Sequence, residues 1–230
     1  MTTTLITGAN KGLGFETARQ LIAAGHTVYL GSRDPGRGRE AAAKLGATPL
    51  VLDITDDASV AAAADVVAAA GGLDVLVNNA AIAGPTTAVG EVTADILRTL
   101  YETNVFGVAR MMHAFLPLLE KAAAPVVVNV SSGLGSMVRA TDPDALESQV
   151  PALAYGSSKA AVNMLTVRYA QAYPAMRINC VDPGYTATDL NGHHGYQTVE
   201  QGAEIIVRMA QLGPDGPTGT YADAAGTVPW

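Results

Sequence analysis

The sequence predicts a doubly wound parallel sheet, of class α/β, with about seven strands and helices on both faces. Three observations predict it. Short apolar runs alternate with longer helical stretches along the whole chain. The runs are continuously apolar, the pattern of strands buried on both faces between helices. A glycine-bearing loop joins the first run to the first helical stretch. Such alternation builds parallel strand–helix–strand units.

The expected strands cover residues 4–7, 27–30, 49–53, 75–78, 126–130, 177–181 and, weakly, 220–222. The expected helices cover residues 15–24, 37–45, 58–70, 93–121, 155–173 and 198–212. Gly25 reads as the glycine that ends the first helix. Asp34 and Pro35 read as the cap and first position of the second. The alanine runs at 61–64 and 68–70 are good helix formers inside the third. Residues 142–147 read as a short helix capped by Asp142. No linker, repeat or low-complexity tail interrupts the pattern. Residues 1–230 therefore read as one Rossmann-type domain carrying both cofactor and substrate sites.

Composition narrows the function. The 230 residues are 49% hydrophobic and 15% charged, which excludes a disordered chain. The net charge of −7 makes a poor binder of phosphate backbones, so no nucleic-acid partner is expected. No apolar run approaches the roughly 18 residues of a membrane span, so no membrane association is expected. The N-terminus lacks the features of a signal peptide. The lone Cys180 cannot close an internal disulfide and reads as core. A reducing, cytoplasmic location follows. None of His26, His113, His193 and His194 makes a metal-binding pair, so no metal is expected.

The first loop reads Thr7-Gly8-Ala9-Asn10-Lys11-Gly12-Leu13-Gly14. Glycines there let the backbone turn tightly and approach a pyrophosphate at the helix N-terminus. The second strand ends in Ser32, where a ribose-binding acid is expected, and Arg33 follows. Arg33 and Lys11 together suit a 2′-phosphate, hence NADP rather than NAD. Asp34 is the objection, answered by its role as a cap. Asp53, followed by Ile54, closes the third strand and can accept the adenine amino group; it reads equally as a loop acid. Asn78 can bridge neighbouring strand ends, or simply form a turn with Asn79.

Tyr155 and Lys159 stand four apart on one predicted helix and share a face. A phenol with a pKa of about 10 is a poor acid–base at neutral pH, and a neighbouring ammonium is expected to lower it. Tyr155 can then exchange a proton with a carbonyl oxygen or an alcohol. Ser131 and Ser132 close the fifth strand, at the sheet edge where such folds bind ligands.

The ordered set of the glycine loop, Asp53, Asn78-Asn79-Ala80-Ala81, Asn104, Ser131-Ser132, Tyr155-Gly156-Ser157-Ser158-Lys159 and Asp182-Pro183-Gly184 resembles the short-chain dehydrogenase/reductase family. Ser32-Arg33-Asp34, Asn10-Lys11 and the closing Trp230 look most like its NADPH-dependent carbonyl reductases. The resemblance implies that Gly8, Asn10, Lys11, Gly12, Leu13 and Gly14 cradle NADP, with Ser32, Arg33, Asp53 and Ile54 around its adenosine. It implies that Asn79 and Ala80 line the cofactor crevice and that Lys159 holds the nicotinamide ribose beside Tyr155. The loop of Pro183, Gly184, Thr186 and Thr188 would hold the carboxamide, through the Thr186 backbone and the Thr188 hydroxyl. Ser132 would bond the substrate oxygen. Asn104 would kink its helix and hold a water that relays protons to the lysine; read from sequence alone, it could equally be exposed.

Two departures stand out. Ala81 replaces the family's usual glycine. Ser132 and Tyr155 lie 23 residues apart, farther than in most of the family. The extra segment, residues 134–154, carries Asp142, Asp144 and Glu147 against Arg139. It is expected to wall the substrate cleft with an acidic rim and disfavour anionic substrates. Met137, Tyr185 and Tyr196 are candidates to line that cleft. The segment also bears on helix pairing, which leaves monomer and homo-oligomer both open. The expected function is reduction of a small-molecule ketone or aldehyde with NADPH. The alternatives are an NAD-dependent alcohol dehydrogenase or a non-catalytic dinucleotide-binding regulator.

Overall fold

The computed structural model describes residues 2–85 and 87–230. Its strands are β1 (Thr3–Ile6), β2 (Thr27–Ser32), β3 (Thr48–Val51), β4 (Val75–Asn78), β5 (Val126–Val130), β6 (Arg177–Val181) and β7 (Tyr221–Ala222). They form one seven-stranded sheet in the order β3-β2-β1-β4-β5-β6-β7. Every pairing is parallel. The fold is the expected doubly wound, Rossmann-like one. The winding reverses between β1 and β4, which opens a crevice at their carboxyl ends.

The helices are α1 (Gly12–Ala23), α2 (Pro35–Leu45), α3 (Asp57–Ala69), α4 (Ala94–Tyr101), α5 (Gly107–Leu119), α6 (Met137–Thr141), α7 (Leu153–Ala172) and α8 (Val199–Ala210). Successive strand residues point to opposite faces, so neighbours feed different cores. Leu5 and Leu76 pack with Val67 of α3, Phe115 of α5 and Val162 of α7. Ile6 and Val77 pack with Leu21 of α1, Ala41 of α2 and Ile206 of α8. This two-sided burial explains why the strands read as unbroken apolar runs.

The local signals behave as their chemistry requires. Gly25 follows α1 at φ +90°. Asp34 caps α2, accepting from the Gly36 and Arg37 N–H groups at 2.8 and 2.9 Å, with Pro35 at the first position. Two readings need correction. The helix expected over residues 93–121 is split, because a π-helical turn, Glu102–Phe106, separates α4 from α5. The short helix expected at 142–147 with Asp142 as its cap does not form there; a single 3₁₀ turn covers Leu146–Gln149 instead. Ser136 starts a helix earlier by accepting from the Arg139 N–H, and Asp142 instead accepts from the Asp144 N–H in a turn.

Candidate active site

The cofactor crevice is built on close approach. Gly8 and Gly12 adopt φ of +62° and +58°, the left-handed region that favours glycine. A Cβ at Gly14 would lie 2.5 Å from Asn79 Nδ2 and 2.8 Å from the Gly8 carbonyl oxygen. The loop is tied to the end of β4. Thr7 Oγ1 accepts from the Asn79 and Ala80 N–H groups, both at 2.9 Å, and Asn79 Nδ2 donates to the Thr7 carbonyl at 2.8 Å. Asn79 thus shapes the cradle, and Ala80 packs against Gly8. Lys11 stands at the cap of α1 without a side-chain cap bond, and the first turn carries no acid. Its positive end is left for an anion. Gly12 faces Thr188, whose methyl would touch a Cβ placed on Gly12 at 3.7 Å, so the crevice runs from the glycine loop to the loop after β6. Such a cradle fits a pyrophosphate-bearing dinucleotide.

At the adenosine end the expected residues separate. Ser32 is buried, and its hydroxyl donates to the Asp34 carbonyl at 3.0 Å, so only its neighbour Arg33 is presented to solvent. Lys11 does not join Arg33 as a free second cation; its Nζ lies 2.7 Å from Asp189 across the crevice. Asp53 is placed near Arg33, with its carboxylate accepting from the Thr55 N–H and hydroxyl. Burial pushes its pKa up, but the Thr55 bonds and the charges of Arg33 and Arg110 outweigh that and hold it below the usual range. The Ile54 side chain is buried in the core, and Leu13 packs toward α8, so either could offer a cofactor only its backbone. Arg37, which sequence reasoning missed, borders a cleft of about 430 Å³ with Asn10, Lys11, Lys44 and Asp189. The Asp34 cap was the available signal, since it fixes Arg37 in the first turn of α2.

At the catalytic end, Tyr155 and Lys159 lie on α7. Lys159 Nζ donates to the Val130 carbonyl at 2.8 Å and sits 5.5 Å from the centroid of the Tyr155 ring. Gly135 packs directly on the Lys159 backbone, where a Cβ would come within 2.8 Å. Burial lowers the Lys159 pKa to about 8. The expected lowering of the Tyr155 pKa is not found. Burial raises it, and the Asp182 charge adds to that, against a hydrogen bond from Ser132. Tyr155 therefore holds its proton at neutral pH. Of the two serines, Ser131 is buried and spends its hydroxyl on Asn163 Oδ1, leaving Ser132 beside Tyr155.

Asn104 is buried rather than exposed, in the π-helical turn. Its Oδ1 accepts from the Ile82 N–H, and its Nδ2 donates to the Ile82 carbonyl, all at 2.9 Å. Nδ2 also donates to Ser158 Oγ at 3.0 Å, and Ser158 donates to the Tyr155 carbonyl at 2.7 Å. The side chain thus joins the loop after β4 to the turn of α7 that carries Tyr155. Asn78 Nδ2 bridges to Asn129 Oδ1 on β5 at 2.8 Å, as its position at the strand end suggested.

The loop after β6 closes the crevice. Gly184 has φ +73° and lies against Gln197, whose Nε2 donates to the Pro183 carbonyl at 2.8 Å. The Thr186 hydroxyl is folded into the loop, donating toward the Pro183 and Gly184 carbonyls at 3.2 Å. The Thr188 hydroxyl accepts from the Asn191 N–H in a capping box. Tyr185 and Tyr196 stack edge-to-face at 6.0 Å at the exposed mouth. The acidic rim is only partly formed. Glu147 is 3.2 Å from Arg139, which leaves Asp142 and Asp144 in solvent.

A sequence model of the short chain dehydrogenase family matches residues 2–198. Short-chain dehydrogenase/reductase 1 of Saponaria officinalis is 35% identical, across 94% of this chain and 92% of its own length. The (-)-isopiperitenone reductase of Mentha piperita is 34% identical, across 94% of both. The NADPH-bound carbonyl reductase from chicken fatty liver superposes with a TM-score of 0.88 at 29% identity, covering 100% of this chain and 99% of the other. The chain belongs to the short-chain dehydrogenase/reductase family and is an oxidoreductase of that family. Among the described residues, no helix is long and apolar enough to cross a membrane.

Proposed function

We propose that residues 1–230 form one domain that reduces a ketone or aldehyde with NADPH in the cytoplasm. The carrying observation is the placement of Tyr155 beside Ser132, with Lys159 Nζ 5.5 Å from its ring centroid, at one end of a crevice whose other end fits a dinucleotide. Reduction needs a proton donor; the phenol carries its proton at neutral pH, and the Ser132 hydroxyl and the nearby Lys159 ammonium stand where they stabilise the phenolate left when the proton is given, against the burial that opposes it. The hydride to the carbonyl carbon would come from NADPH when it is bound in this crevice. Ser132 and Tyr155 hold the carbonyl oxygen, and Tyr155 gives it the proton as charge develops. Lys159 holds the nicotinamide ribose and restores the proton. Asn104 keeps the turn carrying Tyr155 in place. Gly8, Asn10, Gly12, Leu13 and Gly14 receive the pyrophosphate through the backbone, and Pro183, Gly184, Thr186 and Thr188 enclose the nicotinamide. The likeness to the chicken enzyme supports this reading. One observation favours NAD-dependent alcohol oxidation as a second reading: Lys11 is engaged by Asp189, which leaves fewer free cations for a 2′-phosphate.

A panel of neutral ketones and aldehydes, followed by loss of NADPH absorbance, tests the activity. Arg33→Ala tests the cofactor. A charge-assisted bond to the 2′-phosphate is worth roughly 1.5–3 kcal/mol, so the KM for NADPH should rise by about tens of fold. The KM for NADH should barely change. Equal losses with both cofactors would sink the assignment.

A further inference from the structure

We propose that Arg139, in the extra segment before α7, is a positioning residue for the proton-transfer site and acts through Asp182. The proposal rests on the reading of Tyr155 as proton donor. Arg139 Nη1 lies 3.2 Å from Glu147 Oε1 and 3.1 Å from Asp182 Oδ2, and Nη2 lies 2.8 Å from Asp223 Oδ2. One guanidinium thus joins α6, the end of β6 and the segment after β7. All four side chains are three-quarters or more shielded from solvent. Water cannot replace these partners cheaply.

Asp182 reaches the catalytic groups in two directions. It accepts from the Gly133 N–H, next to Ser132, and from the Gly184 N–H at 2.9 Å, in the loop after β6. A Cβ on Gly133 would collide with Glu147, Asp182 and Arg139 together, so the cluster is packed directly behind the serine. Its charge is also felt at Tyr155. The groups facing Asp182 are Arg139 and Asp223, with the phenols of Tyr155 and Tyr221 and the thiol of Cys180 nearby. Tyr155 faces Ser132, Lys159 and Asp182. Three carboxylates share one cation, so removing Arg139 leaves Asp182 as an uncompensated anion near the phenol.

The experiment compares wild type, Arg139→Gln, Asp182→Asn and the double variant. The first readout is the pH midpoint of alcohol oxidation with NADP⁺, which requires the phenolate. It is read above pH 8, because burial raises the Asp182 pKa against the two N–H groups and Arg139 that lower it, and alkali favours its carboxylate. Arg139→Gln should move the midpoint up by on the order of one unit, as an uncompensated neighbouring charge does. Asp182→Asn should move it down, and the double variant should follow Asp182→Asn. The second readout needs no turnover. Amide hydrogen exchange at Gly133 and Gly184 should speed several-fold in Arg139→Gln, with the amides of β5 unchanged. If Arg139→Gln does not fold, Arg139→Lys keeps the charge but not the three-way reach, and should give the faster exchange with a smaller midpoint shift. A lower melting temperature with an unmoved midpoint would overturn the proposal and make Arg139 a structural tie alone. That outcome differs from failure of the underlying reading, which would show as retained turnover in Tyr155→Phe.

Discussion

Tyr155→Phe is expected to lower carbonyl turnover by roughly 10²–10⁴-fold, the usual contribution of general acid catalysis. The substitution removes the proton and keeps the ring. The ring stays over Lys159, and the α7 backbone held by Ser158 and Asn104 is untouched. Binding of NADPH, followed by its fluorescence, should therefore stay near wild type, and the loss should fall on kcat rather than KM. Stability should change little. The bond between Tyr155 and Ser132 is worth only about 1 kcal/mol net, and the Ser132 hydroxyl still accepts from the Leu134 N–H at 3.3 Å. The upward shift of the phenol adds a pH signature. Wild-type reduction should be flat through neutral pH and fall only in alkali, as the donor loses its proton. If Tyr155→Phe keeps most of its rate, another group donates the proton.

The sheet and the order of its helices were legible because burial on both faces writes itself into the chain. A strand such as Val126–Val130 carries three valines before its first polar residue, and nothing but a central position tolerates that. The glycine loop and the Tyr155–Lys159 pair were legible because each depends on near neighbours in sequence. Features that depend on distant partners were hidden. Nothing local to Asn104 says that it bonds the backbone of Ile82 or opens a π-helical turn. Lys11 read as a free cation because Asp189 is remote in sequence but sits 2.7 Å away in space. The same blindness applied to Arg139 and Glu147, which read as part of an acidic rim, and to Asp182, which read as part of a loop motif; nothing in the sequence joined them to one another or to Asp223. The direction of the Tyr155 shift was missed for a different reason. Spacing on a helix shows that an ammonium is near, but the enclosure that desolvates both groups is set by the surrounding fold.

Lys159→Met should make the protein more stable and nearly inactive. Lys159 is 3% exposed, and among the described residues its Nζ donates to a neutral carbonyl, that of Val130, with no carboxylate in salt-bridge range. Burial lowers its pKa from 10.5 to about 8, so holding it charged at neutral pH costs about 3 kcal/mol. Methionine fills a similar volume without a charge. It gives up the bond to the Val130 carbonyl, about 1 kcal/mol. The remainder, about 1–3 kcal/mol, corresponds to a melting temperature higher by roughly 2–4 °C per kcal/mol for a chain of this size. The sign with pH follows from proton binding. Between about pH 8 and 10.5 the folded chain has released the Lys159 proton while the unfolded chain still holds it. The unfolded state then binds more protons, so wild-type stability rises with pH across that window. Tyr155 acts oppositely, and only above its unfolded value of 10.0. The advantage of Lys159→Met should therefore be largest near pH 7 and shrink by pH 10, when followed by denaturant melts at each pH. Turnover should fall at least about 10²-fold throughout, because the group that recharges Tyr155 and holds the ribose is gone. A variant less stable than wild type at pH 7, with the same pH slope, would mean that the fold accommodates the ammonium without strain. The buried charge would then have to be explained by packing at Gly135 and Val130 alone, without the sacrifice of stability that a catalytic lysine implies.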